Sequence, residues 1–207
     1  MNQAERDVTQ PTRVRRPKRQ EVRARLIDGA MTAFAAKGFA GASIDFICEQ
    51  AGFSRGAFYS NFEDKDALFF ALYDLRTDRL YARLTRLAEA AQEVEDPLAL
   101  LVQELRKPDE DELKWDILNK EFIVHALRND AARQRLLASR EGSKTRLAEI
   151  LLTLRPDLSQ APEKLDRLSR IVIALHEGEL TQLGLDPALK QQSSLLADVA
   201  VWIMGRD

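Results

Sequence analysis

Apolar positions along this chain recur at intervals of three and four, the spacing of one face of an α-helix, and nowhere alternate in the manner of a half-buried strand. The first run predicts a helix over 18–37, with Ile27, Ala30, Met31 and Phe34 inward. Gly38 ends it, and Phe39 folds back on its last turn. Next, Ile44, Ile47, Cys48 and Ala51 fall at i, i+3, i+4 and i+7, behind Ser43 as N-cap and with Asp45 in the first turn. Gly52 supplies a left-handed stop. Ser54 then caps a second short helix from Arg55, in which Phe58 and Phe62 turn inward. Asp64 caps a long helix that begins at Lys65 and runs as far as Gln92, with Leu68, Phe69, Leu72 and Leu75 or Arg76 as its inner stripe. Further helices are predicted over 97–107, from the acidic cluster at 109–112 to Arg128, and over 131–154, 163–183 and 193–204. Pro108, Asn129 with Asp130, the loop 156–162, and Gly184 with Pro187 punctuate them. The predicted fold is all-α: a small three-helix head and a larger helical body.

The short helix from Arg55 carries candidate chemistry. With Phe58 and Phe62 buried, Arg55, Gly56, Tyr59 and Ser60 face outward, and Ala57 and Asn61 flank the buried side. Small and polar groups with one guanidinium suit a helix that enters the major groove. A guanidinium can bond both acceptors of a guanine edge, an amide can pair with adenine or reach a phosphate, and small residues let the backbone approach.

The stretch AGFSRGAFYSNF followed by EDKDAL resembles the TetR family of bacterial transcriptional regulators, over residues 20–72. The match rests on a turn glycine (Gly52), a tyrosine in the recognition helix (Tyr59), a phenylalanine three residues later (Phe62) and a lysine three beyond that (Lys65). The resemblance implies that Tyr59 and Lys65 contact phosphates, that Arg55 and Ala57 face bases, and that Ser43 touches the DNA backbone. The candidate DNA-binding set is Ser43, Ser54, Arg55, Gly56, Ala57, Tyr59, Ser60, Asn61 and Lys65. Phe46 departs from the family pattern, which is polar there; it either packs on the first helix or partly obstructs the DNA side. Ser60 and Asn61 are variable positions in the family.

Charge strengthens this picture. The net charge of −2 conceals +3 over residues 1–65 and −5 over 66–207. Between Pro11 and Arg25 stand seven basic residues against Glu21 alone. A basic patch beside a groove-sized helix is the electrostatic footprint of a nucleic-acid binder. Residues 1–17, polar and proline-bearing, are read as a mobile basic arm, either laid along phosphates or without a fixed contact. The domains expected are therefore this arm, a DNA-binding domain over 18–64 and a ligand-binding and dimerisation domain over 65–207.

Composition narrows the remainder. At 207 residues with 45% apolar, the chain can bury a core. One cysteine excludes an internal disulfide, and two histidines with one cysteine cannot build the usual zinc site, so no metal and no cofactor are expected. Cys48 reads as a small core residue. No apolar run is long enough to span a bilayer and no signal peptide opens the chain, so a cytoplasmic protein is expected.

The last two predicted helices are apolar on more than one side, through Leu165, Leu168, Ile171, Val172, Ile173, Leu175, Leu180 and, in the final one, Trp202. A helix apolar on two faces needs two neighbours. The family resemblance supplies the second as the two-fold mate in a four-helix bundle, so that a homodimer reads a palindromic operator. Trp115, Leu118, Phe122 and His125 form an aromatic stripe, with Glu121 four before His125. Together with Tyr73 and His176 they are candidate walls of the small-molecule pocket that the family places among these helices. The alternative for such a stripe is plain core. The reading is a ligand-responsive regulator, a repressor of a double-stranded DNA operator released by a small-molecule effector. One alternative is an activator or ligand-independent regulator with the same head. A carrier or enzyme is the other; against it, no phosphate loop, HExxH or GxSxG pattern occurs, and adjacent His176 and Glu177 point in different directions on one helix.

Overall fold

The computed structural model describes residues 18–91, 94, 102, 105, 110–192 and 194–198. The basic arm, the ends of the helices expected over 97–107 and 193–204, Gln92 and Trp202 lie outside the described residues. The helices whose bounds fall within the described residues are, in order, α1 (Arg19–Gly41), α2 (Ile44–Ala51), α3 (Arg55–Tyr59), α4 (Lys65–Ala90), α5 (Glu110–Ala126), α6 (Asp130–Leu154) and α7 (Pro162–Leu185). Two 3₁₀ turns, Pro156–Gln160 and Pro187–Gln191, flank α7. Among the described residues there is no strand. Val102, Leu105 and residues 195–198 are helical, at places where helices are expected.

Most boundaries follow from local chemistry. Ser43, Ser54, Asp64 and Asn129 each accept a backbone N–H two or three residues into the helix they open, at 3.2, 3.3, 2.6 and 3.0 Å. Gly52 stops α2 at φ +70° and ψ +37°, a left-handed conformation costly for any side chain. Two boundaries differ from expectation. Gly38, also at φ +70°, kinks α1, and one more turn reaches Gly41, because Lys65 secures the extra carbonyls. α7 continues through Gly184 to Leu185, since an interior glycine costs only about 1 kcal/mol.

The core is not divided at the expected boundary of head and body. One cluster joins Leu26, Phe34, Phe39, Ile47, Phe58 and Phe62 of the head to Leu68, Phe69 and Phe70 of α4, Leu118 and Phe122 of α5, and Leu136 of α6. Phe69 and Phe122 stack with centroids 3.7 Å apart, and Phe39 meets both rings edge-on at 5.8 and 5.0 Å. A second cluster, further along α4, gathers Tyr81, Leu84 and Ala88 with Leu147, Ile150 and Leu151 of α6 and Leu168 of α7. At 26 residues and 1.5 Å each, α4 is about 39 Å long and spans both. The turns between Tyr73 and Tyr81 leave one core and enter the other, and that is where the molecule is hollow.

Candidate nucleic-acid interface and effector cavity

On α3, Phe58 is fully buried and Phe62 follows it inward, which turns Arg55, Gly56, Tyr59 and Ser60 to solvent. Tyr59 is 50% exposed. Arg55 is held in place by Asp45 of α2, whose Oδ2 lies 3.0 Å from Nη1, while Nη2 donates to the Tyr59 hydroxyl at 3.4 Å. The fork is thus pre-oriented on the outer surface, with both ends in solvent, so little stability rests on the pair. Ser60 donates its hydroxyl to the Gly56 carbonyl at 2.8 Å and Asn61 its amide to Ala57 at 2.8 Å, so both close the end of α3. Ala57 and Asn61 are half-buried, as expected of flanking positions. Ser43 and Ser54 spend a lone pair on capping and keep a hydroxyl proton to donate.

Lys65 stands differently from what the resemblance implies. Its ammonium donates to the carbonyls of Phe39, Ala40 and Ala42 at 2.6, 3.3 and 3.2 Å and lies 4.6 Å from the Phe39 ring centroid. Burial lowers its pKa from the usual lysine value. Three protons on three carbonyls make it the cap of α1's last turn. The arginines of α1 are also occupied. Arg19 donates to the Ser60 carbonyl at 3.1 Å and Arg25 to that of Ala51 at 3.2 Å, while Arg23 and Arg25 lie over Phe62 and Phe53. They pin the helix-turn-helix while leaving its charge positive. Phe46 packs against α1, with the Lys37 ammonium 3.7 Å from its ring centroid. Cys48 is buried, and burial raises its thiol pKa.

Between the two cores lies a cavity of about 630 Å³ bounded by α4, α5, α6 and α7. The expected wall residues separate into two groups. Tyr73, Trp115 and His176 line the cavity. Leu118, Glu121, Phe122 and His125 do not: the stripe on α5 is long enough that its second half crosses to the head. Leu118 and Phe122 are 3% and 0% exposed in the shared core. Glu121 accepts the Phe39 N–H at 2.5 Å, beside the kink at Gly38, and His125 shares a hydrogen bond with Asp66 at 3.0 Å. These four tie α5 to α1 and α4.

Residues beyond the expected wall set complete the cavity. Arg76, Arg79, Arg83 and Arg86 line it from α4 at i, i+3, i+7 and i+10, a period visible in the sequence. Asp116 is buried against Lys120, and Glu177 pairs with Arg140 at 2.8 Å rather than with His176. Burial lowers the pKa of His176 and pushes that of Tyr81 up to about 12. Asn119, 8% exposed, keeps its Oδ1 buried with no hydrogen-bond partner among the described residues. A second hollow of about 530 Å³ shares Tyr73, Ser143, Ile173 and Glu177 with the first.

Residues 26–72, the helix-turn-helix and the start of α4, match the family model described as bacterial regulatory proteins, tetR family. Over these residues the chain is similar to the TetR family. The HTH-type transcriptional repressor Rv1474c of Mycobacterium tuberculosis is 35% identical over 108 residues, 52% of each chain. The HTH-type transcriptional regulator TtgR of Pseudomonas putida is 40% identical over 90 residues, 42% of each. The chain thus spans about half the length of the curated relatives it matches. The crystal structure of a transcriptional regulator from Rhodococcus sp. shares the fold over 88% of this chain and 94% of its own, with a TM-score of 0.63 at 22% identity. Among the described residues no helix is long and apolar enough to cross a membrane, and no group of three metal-ligating side chains forms.

Proposed function

We propose that the protein is a cytoplasmic transcriptional repressor that binds a palindromic operator as a homodimer and is released by a small molecule entering the α4–α7 cavity. The observation that carries this reading is the outer face of α3, where Arg55 is held by Asp45 and Tyr59, exposed and free of apolar bulk. Ser43, Ser54, Arg55 and Tyr59 meet the DNA. Lys65 acts by securing the turn that α3 stands on. The name of the M. tuberculosis relative supports the sign of regulation. Ile171 on α7, Leu185 at its end and Leu195 beyond it, 37%, 82% and 46% exposed, support a second copy packed over this end of the body.

Coupling between the cavity and the head runs along α5. Trp115, Asp116 and Asn119 face the cavity, and Glu121, Phe122 and His125, one to three turns on, grip Phe39, Phe69 and Asp66. A ligand that displaces α5 shifts α1 and α4 with it and changes the spacing of the two heads. Differential binding of a few kcal/mol between the two states is sufficient.

The test is a titration of the purified protein against its own upstream intergenic DNA at two salt concentrations, beside a scrambled duplex. Tight, sequence-dependent binding that weakens steeply with salt is expected. Arg55→Ala and Tyr59→Ala should abolish operator binding while leaving the dimer folded. Wild-type affinity and salt dependence in those variants would remove α3 as the reading helix. A folded dimer that binds neither this DNA nor any duplex selected from random sequence would overturn the proposal.

A further inference from the structure

The polar groups of the larger cavity indicate what it holds, given the reading of that cavity as the effector site. Its carboxylates already have cations. Asp116 is bonded to Lys120, Glu177 to Arg140 at 2.8 Å and Glu112 to Arg83 at 3.2 Å, and Asp111 lies 3.9 Å from Lys114, which it shares with Glu110 at 2.7 Å. Arg79 and Arg86, on the same face of α4, stand beyond these pairs, and among the described residues no carboxylate is bonded to either. Among the described residues, the α4 rim therefore offers two guanidinium groups that no carboxylate holds. Asn119 Oδ1, also in the lining, is a buried acceptor without a partner among the described residues, and leaving it empty is costly. Asn119 follows Glu112 by seven helical residues, about 10 Å along α5. The rings of Trp115, Tyr73 and Tyr81 also line the cavity, Trp115 with Phe69 stacked on it and the Arg76 guanidinium 5.4 Å from its centroid. Flat faces accept a flat ligand, and about 630 Å³ is the size of a site for a small organic molecule.

We infer that the effector is an aromatic acid bearing a hydroxyl group: the carboxylate is bound by Arg79 and Arg86, the ring lies against Trp115 and Tyr73, and the hydroxyl donates to Asn119 Oδ1. The arginine fork matches a carboxylate in shape and charge, and burial of the far end makes the hydroxyl a determinant of selection.

Calorimetry on the full chain tests each part with three probes: 4-hydroxycinnamate, its methyl ester, which lacks the charge, and cinnamate, which lacks the donor. The hydroxy acid is expected to bind at least tenfold more tightly than the ester and about fivefold more tightly than cinnamate. R79A/R86A, a change of exposed side chains, should close the gap between acid and ester and leave ester affinity unchanged. Asn119→Ala should close the gap between hydroxycinnamate and cinnamate, with circular dichroism confirming the fold. An ester that matches the acid, no binding of any probe at millimolar concentration, or an arginine variant that weakens acid and ester equally would each overturn the assignment. Operator binding measured on the same preparation separates the two levels. If it persists while the acid shows no advantage, the ligand class falls and the regulator stands. If the acid binds as expected but no DNA does, the cavity assignment survives and the regulator does not.

Discussion

Arg55 and His176 show how differently a charge behaves on the surface and in the hollow of this molecule. Arg55 is in water, so its pairing with Asp45 orients the side chain without adding much stability. His176 faces the cavity and its pKa is lowered by burial, a shift that the nearby Glu177 and Glu179 oppose and do not cancel. The folded protein therefore binds fewer protons there than the unfolded chain once the pH falls below about 6.5. Stability is complete above that value and declines as the pH drops towards the folded pKa, by up to about 1.4 kcal/mol per pH unit. Urea unfolding at pH 7.5, 6.5 and 5.5 should show the decline in the wild type and a flatter profile in His176→Gln. Equal slopes would place the titrating group elsewhere. Neither behaviour is visible in the sequence, where the histidine is one polar residue in an apolar helix.

At the scale of elements, α3 has only five residues, too few for a helix to persist alone. It exists because Ser54 caps it, Gly52 delivers the chain at the required angle, and Phe58 anchors it in the core. Gly52→Ala should cost about 1–2 kcal/mol, since an alanine held at φ +70° is strained, and Gly52→Asn should cost less because asparagine tolerates that conformation. Chemical denaturation of the two variants measures this; a harmless alanine would mean that the turn has relaxed. These boundaries were legible in the sequence because caps and left-handed stops act over three or four residues. The extra turn of α1 was not, because the lysine that completes it enters from 23 to 26 positions away.

Across the whole molecule, the shared aromatic core makes head and body one mechanical unit, with the cavity beneath it. Phe122→Ala removes the ring stacked on Phe69 and in edge contact with Phe39 and Phe70, and should cost about 3–5 kcal/mol. The loss should appear in one cooperative transition, with faster amide exchange at Phe39 as well as in α5. A head that melts separately from an unaffected body would show the cluster to be two cores in contact.

The sequence by itself determined the helices, most of their ends, the outward face of α3 and the resemblance to TetR-family proteins, because helical period, capping and turn chemistry are local. Tertiary structure decided which polar groups were left for other work. Lys65 closes α1, Arg19, Arg23 and Arg25 brace the helix-turn-helix, and Glu121 holds the Phe39 amide 82 residues away. It also decided where the stripe on α5 divides. Trp115 reaches the cavity while Phe122 fills the core, because α4 leaves one core before entering the other, and a period of 3.6 residues carries no information about what stands opposite each turn.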